Sequence, residues 1–145
     1  MRTSDFGAIP NLPQNFSREF SLEMFRRGSF TRHFEYQVKY AFDEKLFQIP
    51  VYLCVGQEFN AAAYSMVLKE FQIFAQHRAH GIYLSFGAPP EKLRDELLGL
   101  PSGCSGGMSG SNAIQGVEIA MFGHSGLMGE QVPISVGAAM ASGRP

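Results

Sequence analysis

Residues 99–116 carry six glycines, four serines and one proline in eighteen positions. Such a run sustains neither a helix nor a strand, because glycine costs backbone entropy there and serine and proline favour turns. It suits close approach of the backbone to another group better than packing of side chains. A functional loop is therefore expected here, with a long stretch of elements before it and a short strand, turn and helix after it.

Upstream of the loop, Ser17 is a favourable N-cap. Phe16, Phe20, Met24 and then Phe30, Phe34, Val38 and Phe42 recur at four-residue steps, which is a helical period. Gly28 is expected to divide this stretch into two helices or to bend it. Residues 49–55 are short, β-branched and aromatic, and read as an extended segment or strand that Pro50 confines to a start or an edge, with Gly56 turning the chain. Residues 57–74 are Ala-rich and read as a helix, residues 82–86 as a short strand, and residues 91–98 as a helix opened by Pro89 and Pro90. Beyond the loop, residues 117–122 read as a strand running into a Gly-His-Ser-Gly turn, and residues 132–141 as a helix with Pro133 in its first turn. Gly7, Pro10 and Pro13 make residues 1–16 an N-terminal arm that orders on docking, which leaves residues 17–145 as one domain.

A net charge of -1 with 17% charged residues gives no field strong enough to point to nucleic acid or an anionic membrane. No stretch approaches the roughly 20 apolar residues of a spanning helix. Thirteen phenylalanines and five tyrosines call for an aromatic-rich core or interface. Cys54 and Cys104 match no metal-ligand spacing and accompany no signal peptide, so both are expected reduced and the protein cytoplasmic.

Four motifs occur in a telling order: Gly56-Gln57-Glu58; Gln76-His77-Arg78-Ala79-His80-Gly81; Gly103-Cys104-Ser105-Gly106-Gly107-Met108-Ser109-Gly110-Ser111; and Gly126-Leu127-Met128-Gly129-Glu130-Gln131-Val132-Pro133. Together they resemble the alpha subunit of thiamine-diphosphate-dependent 2-oxoacid dehydrogenases of the pyruvate, branched-chain and acetoin type, within the transketolase-like superfamily. The resemblance runs from about Thr31 to Ser142. It implies a partial α/β thiamine-diphosphate-binding fold, with parallel strands and flanking helices, completed by another chain. It also implies an enzyme of oxidative decarboxylation and acyl transfer, active only with partners.

By the resemblance, Arg78 contacts the cofactor phosphates, a task suited to the bidentate fork of a guanidinium. His77 stands where the family usually has a tyrosine, so an imidazole would replace a phenol at the diphosphate. His80 matches a histidine near the cofactor that shuttles protons or holds a phosphate-side loop. Gly126 and Met128 match the glycine and the hydrophobic wedge that meet the aminopyrimidine. His124 and Ser125 precede that motif on a strand-to-helix turn, where His124 is a catalytic candidate and Ser125 a substrate-pocket candidate. The family's loop ends in Ser-Met-His, whereas here Ser111 is followed by Asn112 and Ala113, and alanine can neither give nor take a proton through its side chain.

The family's Gly-Asp-Gly magnesium motif does not appear, and no Asp or Glu follows Glu130. No metal ligand is therefore assigned to this chain. Magnesium, with thiamine diphosphate the expected cofactor pair, is expected on a companion chain carrying that motif. A beta-type subunit and a lipoyl-bearing acyltransferase complete the expected partners. Two other readings stay open: a subunit for transketolase-like ketol transfer or carboligation, and a non-catalytic scaffold or truncated remnant.

Overall fold

The computed structural model describes residues 16–143, apart from the side chains of residues 123–125. The arm expected over residues 1–16 lies, up to residue 15, outside the described residues. Helix α1 spans Arg18–Asp43 and begins as its sequence dictates, with the Ser17 hydroxyl accepting from the Phe20 N–H at 3.1 Å. Gly28 does not divide it. The glycine faces α2 (Glu58–Val67), and a Cβ at this point would sit 2.6 Å from the ring of Phe59. Close helix packing, not a break, accounts for its presence.

Residues 49–55 form no strand: 50–54 lack regular structure, between a bend at Ile49 and a turn at Val55 and Gly56. After α2 the chain forms β1 (Ile73–Gln76), α3 (His80–Ser85) and α4 (Pro90–Leu97), then crosses the Gly-rich loop. A 3-10 turn at Val117–Ile119 leads into β2 (Met121–Ser125), and α5 (Gln131–Ala141) follows. The two strands pair in parallel, with Ile73 opposite Met121 and Gln76 opposite Ser125, and the register slips between Ile73 and Phe74. Helix α5 lies against both strands, while α1, α2 and α3 pack on one another. The result is an open α/β arrangement with a two-stranded parallel sheet.

Three expectations change. Residues 82–85 belong to helix α3 rather than a strand, with Phe86 as its C-cap: His80, Gly81, Tyr83, Leu84 and Ser85 are all buried, so no polar face marks the helical period. Gly81 sits where α1, α2 and the segment around Cys54 converge, since a Cβ there would meet Cys54 Sγ at 3.0 Å and Thr31 and Ala61 at 3.6 Å. The helix expected over residues 57–74 ends at Val67, and β1 takes residues 73–76. That strand depends on pairing with β2 more than on local propensity. The last strand also starts later than expected, at Met121, because residues 117–119 close a tight turn.

The core joins the sheet to α3, α4 and the end of the loop through Ile73, Ala75, Tyr83, Leu93, Ile114 and Met121. Both cysteines are free, and burial pushes the Cys54 thiol up to about 12. No helix among the described residues is long and apolar enough to cross a membrane.

The first residue of α2 carries the pair that locks it to α1. Glu58, 1% exposed, accepts from Arg32 Nε and from Arg32 Nη2 at 2.9 Å, and both its oxygens accept from the Gly56 N–H at 3.0 Å. The Arg32 guanidinium holds the Glu58 carboxyl down at about 2. Its folded value lies below the unfolded one of about 4.3, so its contribution is complete above the unfolded value and is lost as pH falls toward 2. Glu58→Gln is expected to lower stability at neutral pH by about 1–3 kcal/mol. It should also flatten the acid side of the stability profile, measured by urea unfolding at a series of pH values. An acid limb as steep as that of the unaltered protein would contradict the assignment.

Candidate functional site

The carboxyl ends of the two parallel strands carry most of the expected site residues. Gln76 pairs with Ser125, so His77 and Arg78, which follow β1, and Gly126, Leu127 and Met128, which follow β2, leave the same end of the sheet. Crevices at the carboxyl ends of parallel strands are where open α/β sheets bind ligands. His124 and Ser125 are the last two residues of β2, and their side chains lie outside the described residues.

Arg78 is exposed, and its Nη1 donates to the carbonyl oxygen of Leu53. The other N–H groups of its guanidinium have no partner among the described residues. His77 is half-buried, and its Nδ1 is buried without a hydrogen-bond partner among the described residues. The ring of Tyr52 meets the His77 ring edge-on, with centroids 5.0 Å apart. Met128 is 77% exposed, and the nearest atom to a Cβ placed on Gly126 would be Asn112 Nδ2, at 3.6 Å. The end of the Gly-rich loop thus reaches the same edge of the sheet. Among the described residues no three His, Cys, Asp or Glu side chains converge to hold a metal.

The sequence assigned His80 to the site; the structure places it in the interior. The ring is fully buried, with Nδ1 2.6 Å from Glu35 Oε1 and Nε2 3.0 Å from Ser111 Oγ. Both nitrogens are therefore spent on protein groups.

Two acidic residues that the sequence reading did not single out organise the surroundings. Glu35 is one. The other is Glu96, near the end of α4, whose fully buried carboxylate gathers the Gly-rich loop. Oε2 accepts from the N–H groups of Ser105 at 2.7 Å and Gly107 at 2.9 Å, and Oε1 from those of Ser109 at 2.7 Å and Gly110 at 3.2 Å. A carboxylate has the acceptor capacity for four such bonds. The available signal was a carboxylate one helical turn ahead of a run of glycines, whose amides need acceptors.

The loop wraps its own beginning tightly. At Gly107, φ is +75°, and a Cβ would lie 2.6 Å from both Gly99 C and Leu100 O. At Gly106, φ is +70°, but the nearest atom would be the end of Met108, at 3.8 Å. Gly106→Ala is therefore expected to cost about 1 kcal/mol through backbone conformation alone. Gly107→Ala adds a backbone clash, for a total of roughly 3 kcal/mol or more. Thermal unfolding of the two variants checks this ordering, and equal losses would contradict it.

Residues 26–144 match the family described as dehydrogenase E1 component. The chain belongs to that family. It is similar to the pyruvate dehydrogenase E1 component subunit alpha of Zymomonas mobilis, 32% identical over 137 residues, which cover 92% of this chain and 39% of that protein. It is also similar to the mitochondrial pyruvate dehydrogenase E1 component subunit alpha-1 of Arabidopsis thaliana, 31% identical over 135 residues, or 91% of this chain and 34% of that protein. The corresponding subunit of Rickettsia bellii is 36% identical over 91 residues, or 62% of this chain and 28% of that protein. The chain thus spans about a third of the length of the curated relatives it matches.

Proposed function

We propose that this chain is an alpha-type component of a thiamine-diphosphate-dependent 2-oxoacid dehydrogenase and supplies the diphosphate side of the cofactor site. The observation that carries the reading is Arg78: an exposed guanidinium with donors left free among the described residues, next to a buried His77 nitrogen without a partner among them, just past the carboxyl end of one of two adjacent parallel strands. Family membership and the similarity to pyruvate dehydrogenase alpha subunits support it.

The residues fit the cofactor's chemistry. Arg78 would hold the diphosphate by charge-assisted bonds and His77 would add a donor, as the unmatched Nδ1 invites. Gly126 leaves room on the β2 side, and exposed Met128 offers an apolar surface to the aminopyrimidine. His124 and Ser125 end β2 on the same edge, where they are assigned to substrate handling. His80, with both ring nitrogens engaged inside the protein, acts by holding the loop rather than by touching substrate. When bound, thiamine diphosphate supplies the nucleophilic carbon and the electron sink for cleaving the bond beside the substrate carbonyl.

The magnesium ligands, the pyrimidine-activating glutamate and the acyl acceptor are assigned to partners: a segment or chain with the Gly-Asp-Gly motif, a beta-type subunit and a lipoyl-bearing acyltransferase. Exposed Val132, Ile134, Val136 and Met140 on α5 give such partners an apolar surface to cover.

Arg78→Ala, in the assembled protein, is expected to weaken thiamine diphosphate binding in the presence of magnesium by about 10–100-fold. Arg78→Lys should recover only part of it, since an ammonium lacks the planar fork. Calorimetric titration measures both, and an Arg78→Ala variant that binds as tightly as the unaltered protein overturns the reading.

A further inference from the structure

One peptide unit aims the Arg78 guanidinium. Its carbonyl, on Leu53, accepts from Arg78 Nη1, and its N–H, on Cys54, donates to Glu35 Oε2 at 2.5 Å. The Leu53–Cys54 peptide lies in a segment without helix or strand, so no sheet ladder fixes its orientation. Side chains fix it instead. The second Glu35 oxygen meets His80 Nδ1 at 2.6 Å, His80 Nε2 meets Ser111 Oγ at 3.0 Å, and Ser111 Oγ accepts from the Tyr52 N–H at 3.0 Å.

The donors and acceptors of this chain match in one arrangement. A proton on His80 Nδ1 goes to Glu35, the Ser111 hydroxyl proton goes to Nε2, and the Tyr52 N–H goes to the Ser111 oxygen, a tautomer assigned from the network. Glu35 and His80 are fully buried and Ser111 is 1% exposed, so none of the three reaches a ligand directly. A carboxylate this deep is costly unless its bonds are all made, and here each oxygen has one strong donor. The negative charge of the Glu35 carboxylate at the Cys54 N–H also polarises the peptide, which makes the Leu53 carbonyl a better acceptor for Arg78.

We propose that Glu35 is a positioning residue for the cofactor phosphates: it orients the Leu53–Cys54 peptide that holds Arg78, and His80 and Ser111 lock Glu35 in place. The inference rests on the reading of Arg78 as the phosphate-binding group. It joins three segments distant in sequence, α1 through Glu35, the start of α3 through His80 and the end of the Gly-rich loop through Ser111, to one guanidinium at the sheet edge.

The test is a double-mutant cycle in the assembled protein, with thiamine diphosphate and magnesium as the probe. Glutamine at position 35 keeps the size but leaves one carbonyl oxygen for two donors. Glu35→Gln is expected to weaken binding about 10-fold and Arg78→Ala about 100-fold. The double variant is expected to bind no more weakly than Arg78→Ala alone, because the carboxylate acts only through the guanidinium. General loosening of the fold would not depend on Arg78 in this way. Losses that multiply to about 1000-fold, or a Glu35→Gln variant with unchanged affinity, overturn the positioning role while leaving the role of Arg78 intact. If Arg78→Ala alone has no effect, the functional reading falls and the positioning role with it. Should Glu35→Gln fail to assemble, Ser111→Ala takes its place in the cycle, with the same loss of effect in the Arg78→Ala background expected and multiplied losses again overturning the proposal.

Discussion

Three carboxylates with almost no exposed surface, Glu35, Glu58 and Glu96, bear most of the burden of ordering the irregular parts of this chain. A buried carboxylate is tolerated only when donors surround it, and irregular backbone is tolerated only when its N–H groups find acceptors. Each problem answers the other. Glu35 takes the Cys54 amide, Glu58 the Gly56 amide and Glu96 the amides of Ser105, Gly107, Ser109 and Gly110. All of these amides lie outside helices and strands, in segments that border the site. Among the described residues the sheet has two strands, so much of the local order that a wider ladder would give is supplied by side-chain acceptors.

The parts of the fold with strong local signals were legible in the sequence. Ser17 capped α1, Pro89 and Pro90 opened α4, Pro133 sat in the first turn of α5, and the glycines of residues 99–116 formed a loop. What escaped was set by tertiary contacts. Helix α3 is buried on every side and has no polar face to show its period, and β1 is only four residues long. In α1 the four-residue aromatic period was correct for helix, but it marked the inward face only in part. Val38 is buried and Phe34 packs on the core, whereas Phe30 and Phe42 are exposed and Gly28, Thr31 and Glu35 fill the rest of the inward face.

The same division holds at the site. Arg78, His77, Gly126 and Met128 could be named because they sit in ordered motifs, and the parallel register explains how two motifs some fifty residues apart meet at one edge. Glu35 and Glu96 could not, because a glutamate in a helix reads as a solvated residue until the partner amides are seen. His80 was found for its motif, but its burial between Glu35 and Ser111 depends on three segments whose convergence no local pattern announces.

The pairing of β1 with β2 joins Ile73 to Met121. A ribosome adding about 5–20 residues per second needs several seconds to make the intervening chain, so β1 is made well before the strand that pairs with it. Its apolar residues Ile73 and Ala75, buried in the finished protein, have no β2 to cover them over that interval. The end of the sheet from which both Arg78 and Gly126 follow cannot form until β2 is made, so it is a late product of synthesis. Chains that end before residue 121 should therefore present an unpaired strand edge to chaperones, and chains that extend past residue 125 should not.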